Sequence, residues 1–227
     1  MKMINNNDII ELDLIIKDKN MGTVLDTTFE IIAKEGNIYD SKIQYKPLVV
    51  IFGKGELLKA VEENIKDLEI GKTKEFSLSK EKAFGDRDSK LIQLLPLADF
   101  KKEQIDPKPG MFINLGNRQA KVLNVSGGRV QVDMNHEFAG RDLDYKITLK
   151  KICANNKDKS QALFEKYFFF MPKDKAKVQT TETTLELIIP GALPKEIEYI
   201  KYVFIQSVFD TCTFENVHFV ENYEKKK

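Results

Sequence analysis

A chain of 227 residues of which 42% are hydrophobic is long enough for one or two domains and has ample apolar material for a core. Its 36 basic and 35 acidic residues leave a net charge of +1, which removes the electrostatic ground for expecting a nucleic acid or an anionic membrane as partner. Two cysteines, Cys153 and Cys212, are too few for a disulfide framework and match no zinc spacing. A single bridge between them stays open, but the expected setting is reducing. The opening MKMINNNDIIELD has no long apolar region and no run of about eighteen apolar residues follows, so the protein is expected to be cytoplasmic.

Residues 8–17 alternate apolar and acidic positions and then become continuously apolar, which predicts a strand entering a barrel-like sheet. A polar turn at 18–22 leads to Val24-Leu25-Asp26-Thr27-Thr28, where the residues alone read Asp26 as an N-cap for the helix-like TTFEIIAKEG. Residues 29–47 carry mixed signals and are expected to form a bulged flap. A buried strand follows at 48–52, Gly53 and Gly55 interrupt it, and Leu57, Leu58, Val61, Ile65 and Leu68 recur on one helical face. The helix ends before Gly71, residues 75–78 alternate as a half-buried strand, and Lys82-Ala83-Phe84-Gly85 forms a turn with an aromatic tip.

More than one hairpin's worth of chain then intervenes before the alternating strand of residues 143–149. Residues 91–96 are apolar, 106–110 are a Pro- and Gly-containing turn, and 111–115 and 119–125 alternate. Ser126-Gly127-Gly128 joins a hairpin to 129–134, so the stretch reads as a small all-β unit. The polar run 155–159 reads as a linker. Beyond it a helix is expected over 160–170, a strand pair at 176–179 and 184–189, a helix from Pro194 to Phe209 and a strand at 217–220. That last helix has apolar residues on more than one face, which suggests a homodimer or an intramolecular cover.

The order strand, helix, strand, aromatic turn resembles the FKBP-type peptidyl-prolyl isomerases, and local motifs carry the resemblance. Gly53-Lys54-Gly55-Glu56-Leu57-Leu58 is similar to that family's G-x-x-E-[LVI]-[LVI], Gly71-Lys72 to its turn before the later strand, Phe84-Gly85 to its [YF]-G, and Leu25-Asp26-Thr27-Thr28 to its [FL]-D-[ST]-[ST]. Asn135-His136-Glu137-Phe138-Ala139-Gly140 resembles the N-H-x-[LF]-A-G return segment of the SlyD-like and long archaeal members. The resemblance implies an α+β fold: an antiparallel half-barrel sheet wrapped on one helix over 1–88 and 138–153, an all-β insert-in-flap domain over 89–137, and a C-terminal α+β domain over 156–227.

It also implies a site. Asp26, Leu58, Phe84 and Tyr145 would be the catalytic set, with the Leu58 backbone N–H as a donor, and Leu14, Leu25, Leu48, Leu57 and Val61 would line the substrate pocket. Leu14 and Phe84 stand where tyrosines are usual, and Lys59-Ala60 replaces a usual P-G, so two hydroxyls are missing. The reaction needs neither a cofactor nor a metal, and the isolated His136 and His218 give no ligand set, so none is expected. The partners expected are proline-containing unfolded polypeptides, recruited by the insert. The alternative is a catalytically weakened holding chaperone or adaptor.

Overall fold

The computed structural model describes residues 3–116, 118–171, 176–191 and 197–223. In chain order the first half contains β1 (Ile9–Asp18), β2 (Val24–Thr27), α1 (Glu30–Glu35), β3 (Leu48–Ile51), α2 (Lys59–Ile65) and β4 (Thr73–Leu78), then β5 (Ile92–Pro96) and α3 (Leu97–Lys102). There follow β6 (Phe112–Leu115), β7 (Arg118–Ser126), β8 (Arg129–Asp133), β9 (Leu143–Ile152) and α4 (Asn156–Tyr167). The chain closes with β10 (Lys177–Thr180), β11 (Thr184–Pro190), α5 (Glu198–Thr211) and β12 (Asn216–Asn222). It divides into two compact units, one made of Met1–Lys17, Gly22–Phe76 and Asp144–Lys227, the other of Asp18–Met21 and Ser77–Leu143.

The first unit is built on a five-stranded sheet in the order β2-β1-β9-β4, with β3 also paired to β1. β1 is long enough to take two antiparallel partners in succession, β3 along Ile9–Leu12 and β2 along Ile15–Lys17. At the changeover the Leu14 amide donates to Thr28 Oγ1 (3.0 Å) and its carbonyl accepts from the Thr28 amide (3.0 Å). The adjacent threonines thus serve the strand's backbone where neither partner strand can. α2 buries Val61 and Ile65, one helical turn apart. The flap region 29–47 contains α1, whose N-cap Phe29 makes no side-chain cap; Asp26 bonds instead to the Thr27 amide (2.8 Å), so it does not cap a helix.

β10, β11 and β12 form a second sheet in the same unit, antiparallel and then parallel. Parallel neighbours cannot be joined by a hairpin, and α5 is the crossover between them. The helix expected to open at Pro194 is described from Glu198, the residues before Ile197 lying outside the described set. The polar run after Ala154 is not a linker: Asn155 caps α4 by accepting from the Asp158 amide (2.8 Å), and the run is the exposed first turn of that helix. α4 buries Leu163 and Phe164 in a core that also contains Ile9, Ile51 and Cys153 of the first sheet together with Phe168, Leu185, Phe204 and Val208. The C-terminal elements therefore share a core with β1 and β3.

The second unit contains a four-stranded sheet in the order β5-β8-β7-β6, all neighbours antiparallel. It has its own core of Phe100, Ile113, Ala120, Val122, Val130 and Val132. It is not all-β as expected, because α3 sits between β5 and β6 and plugs the sheet with Phe100. Six residues with one buried position leave no helical period to read.

Candidate functional site

Five of the expected site residues lie on strands of the first sheet. Leu14 lies in β1, Leu25 and Asp26 in β2, Leu48 at the start of β3, and Tyr145 in β9. Leu14 and Tyr145 are buried, whereas Leu48 is 39% exposed. Tyr145 stacks on Phe76 of β4 with centroids 5.4 Å apart and planes within 6°. Phe76 escaped notice in the sequence, where alternation predicts which face it occupies but not which ring it meets.

Asp26 and Tyr145 are coupled electrically. Burial pushes the Tyr145 hydroxyl up to about 12, and the Asp26 charge adds to the shift. Desolvation raises the Asp26 carboxyl above its ordinary value, with the Thr27 N–H pulling the other way. Asp26 is nevertheless exposed by surface area, so it is a rim group with one side shielded. The phenol thus stays protonated across the neutral range.

Leu57 and Leu58 form the approach to α2, with Leu58 as its N-cap at φ −57° and ψ 138°. The Leu58 carbonyl accepts from Val61 N (2.8 Å) and Glu62 N (3.0 Å), while among the described residues its own N–H has no acceptor. Lys59 takes the first helical position, where proline is otherwise accommodated because its amide would be unpaired in any case.

Phe84 belongs to the second unit, where its ring stacks on His136 at 3.8 Å and meets Phe138 edge-on at 5.6 Å. His136 Nδ1 accepts from the Phe138 amide (3.1 Å), and Gly140 N donates to the Gly85 carbonyl (2.7 Å). The two motifs quoted from the sequence therefore meet each other. Among the described residues no group of three or more His, Cys, Asp or Glu side chains is arranged to hold a metal ion. No helix among them is long and apolar enough to cross a membrane.

The short-type peptidyl-prolyl cis-trans isomerase of Methanocaldococcus jannaschii is 34% identical over 152 residues, spanning 67% of this chain and 96% of that protein. This chain belongs to the FKBP-type peptidyl-prolyl isomerase family. The FKBP-type peptidyl-prolyl cis-trans isomerase SlyD of Aeromonas hydrophila matches at 26% over 134 residues, 58% of this chain and 63% of the relative. SlyD of Helicobacter pylori matches at 26% over 114 residues, 49% of this chain and 62% of that relative. A family model described as FKBP26, IF domain, matches residues 93–138, a range that holds β6, β7 and β8 entirely. Leu14 and Phe84 carry no hydroxyl, so the polar groups of the expected set are the Asp26 carboxyl, the Tyr145 hydroxyl and the Leu58 amide.

Proposed function

We propose that the protein catalyses cis–trans isomerisation of X-Pro bonds in unfolded or partly folded chains, which its insert captures and its first-unit pocket turns over. The uncatalysed barrier is about 18–20 kcal/mol because the amide must lose resonance. A catalyst needs no nucleophile for this. An apolar cup that seats the proline, with donors for the flanking carbonyl, favours the twisted amide over the planar one. Leu14, Leu25, Leu48, Leu57 and Val61 supply apolar surface, Tyr145 an aromatic wall, and Leu58 N–H the donor; Phe84 is assigned a catalytic part by its [YF]-G motif alone.

The observation that carries this reading is the buried Tyr145 of β9, stacked on Phe76 at 5.4 Å, in the same sheet as the strands that hold Leu14, Leu25 and Asp26. Capture of clients is supported by apolar side chains on the insert: Leu94, Met111 and Phe112 are 53%, 40% and 45% exposed. Phe112 also lines a shallow concavity of about 520 Å³ with Lys121, Met134 and His136. The holding-chaperone reading is favoured by the two missing hydroxyls, each worth about 0.5–1.5 kcal/mol as a hydrogen bond. A protease-free assay on a short Phe-Pro or Leu-Pro peptide separates the two, since a holding chaperone leaves peptide turnover at background.

Asp26→Ala and Phe84→Ala are expected to lower peptide kcat/KM roughly tenfold each, with little loss of fold. Unchanged turnover in both variants would remove these residues from the site. Asp26→Asn gives an independent readout. Because the folded carboxyl titrates above its unfolded value, ionisation opposes folding, and the stability penalty grows as pH rises through the folded pKa. Asp26→Asn should therefore be slightly more stable than the parent at neutral pH, with the difference vanishing below about pH 4. A thermal-melt series across pH checks the sign.

The C-terminal elements are proposed to form a homodimer through the outer face of α5. One face of that helix is consumed by Phe204 and Val208, yet Tyr199, Tyr202 and Phe209 remain 75%, 61% and 44% exposed. Light scattering of Tyr199→Glu/Tyr202→Glu against the parent tests it. A dimeric parent and a monomeric variant are expected, and a monomeric parent at every concentration refutes the dimer.

A further inference from the structure

The segment 53–58 that delivers Leu57 and Leu58 to the proposed pocket has little to hold it from within. Gly53 and Gly55 both lie in the left-handed region, at φ 80° and 74°, and glycines confer freedom as well as shape. Its fixed points are side chains. Gly53 N donates to Glu62 Oε1 (3.0 Å), and Glu56 folds back so that its Oε2 accepts from the Ile51 amide (2.9 Å).

Glu56 is in turn gripped from the C-terminal elements. Lys166 of α4 donates from one Nζ to Glu56 Oε2 (3.0 Å) and to the Val49 carbonyl (2.9 Å). The side chains are 21% and 25% exposed, so this pair is better shielded than the Lys54–Asp210 bridge beside it, whose members are 40% and 49% exposed. The lysine thus ties together β3 at Val49, the carboxylate that shapes the turn and α4. Only Leu57 separates Glu56 from the Leu58 amide.

We propose that Lys166 is a positioning residue for the reaction, holding Glu56 and through it the Leu57–Leu58 backbone in the orientation that presents the Leu58 N–H to substrate. The inference rests on the isomerase reading for its catalytic consequence and on the hydrogen-bond network alone for its structural one. Asp210 reinforces the same segment from α5 through Lys54 (2.7 Å). The C-terminal elements touch the site in this way without lending it a catalytic residue.

The test uses the full-length protein and two readouts, amide hydrogen exchange at Ile51, whose N–H is held by Glu56 Oε2, and kcat/KM on a proline peptide. Lys166→Met keeps the aliphatic stem and removes the donors. It should speed exchange at the Ile51 amide about tenfold and lower kcat/KM roughly fivefold, with the melting temperature within a few degrees of the parent. Lys166→Arg retains a donor for Glu56 and should restore both readouts to within about twofold, a recovery that general destabilisation would not produce. Glu56→Gln, which keeps the shape but weakens the acceptor, should give a smaller change in the same direction even if Lys166→Met folds poorly. Unchanged exchange in Lys166→Met and Glu56→Gln overturns the proposal, and so does faster exchange with unaltered turnover in an active parent. If the parent shows no turnover while exchange responds and arginine restores it, the positioning stands and the isomerase reading fails.

Discussion

Replacing Asp133 by alanine is expected to cost the second unit about 3–5 kcal/mol, the range for removing one partner from a buried ionic network. The Asp133 side chain is 2% exposed and accepts from the Asn135 amide (2.8 Å), from Asn135 Nδ2 (2.7 Å) and from the Arg87 guanidinium. Burial alone would raise this carboxyl, yet the Asn135 bonds and Arg87 outweigh it and hold the pKa below its ordinary value. Alanine leaves the Asn135 amide short of an acceptor at the end of β8. Arg87 is 41% exposed and recovers water, which puts the expected loss at the lower end of the range.

Asp133→Asn keeps the shape and one acceptor, and should lose less than half as much. The lowered folded pKa means that the ionised carboxylate contributes its full stability above the unfolded value near 4 and loses it as pH falls through the folded one. The gap between parent and Asp133→Asn should therefore hold steady from pH 8 to 5 and close below about pH 4. Exchange protection of amides in β7 and β8 measures this without depending on the first unit. A loss below about 1 kcal/mol for Asp133→Ala would show that the network is dispensable.

What could be read from the sequence followed periodicity. β1, β3, α2 and β4 announce themselves because each alternates or repeats over enough residues to separate a buried face from an exposed one. α1 and α3 do not, since each has six residues and buries one side chain, Ala33 or Phe100. The polar stretch around Asn156 reads as a linker because a capped first turn and a solvated loop share a composition; what distinguishes them is the apolar face of Leu163 and Phe164 farther on. Asp26 was visible only through a motif. Its neighbours along the chain fit a helix cap equally well, and the geometry that removes the cap is the bond its carboxylate accepts from the Thr27 amide, short of the helix. The Lys166–Glu56 contact, 110 residues apart, has no local signature at all.

Excising residues 89–134 and joining Asp88 to Asn135 through a short Gly-containing loop should leave a folded protein that turns over a proline peptide within about threefold of the parent but accelerates refolding of a proline-limited protein roughly a hundredfold less. The ends of the excised segment are adjacent: Asp88 N donates to Asn135 Oδ1 (2.9 Å) and Asn135 Nδ2 returns a bond to the Asp88 carbonyl (2.9 Å). The buried apolar side chains removed all belong to one core around Phe100, Val122 and Val132, so the cut opens no other. The cut also keeps His136 against Phe84, whose stack would be lost if the excision ran further. Arg87 loses Asp133 but is exposed enough to be solvated. The expected hundredfold comes from effective concentration, because a captured chain is tethered to the same molecule as the pocket and presents its prolines at a local concentration that free collision cannot match. A tripeptide-sized substrate has no second point of attachment and should feel little of this. Equal losses on peptide and protein would assign the insert a part in the pocket itself, unchanged refolding would refute capture, and global unfolding would show that the insert's sheet supports the rest of the molecule.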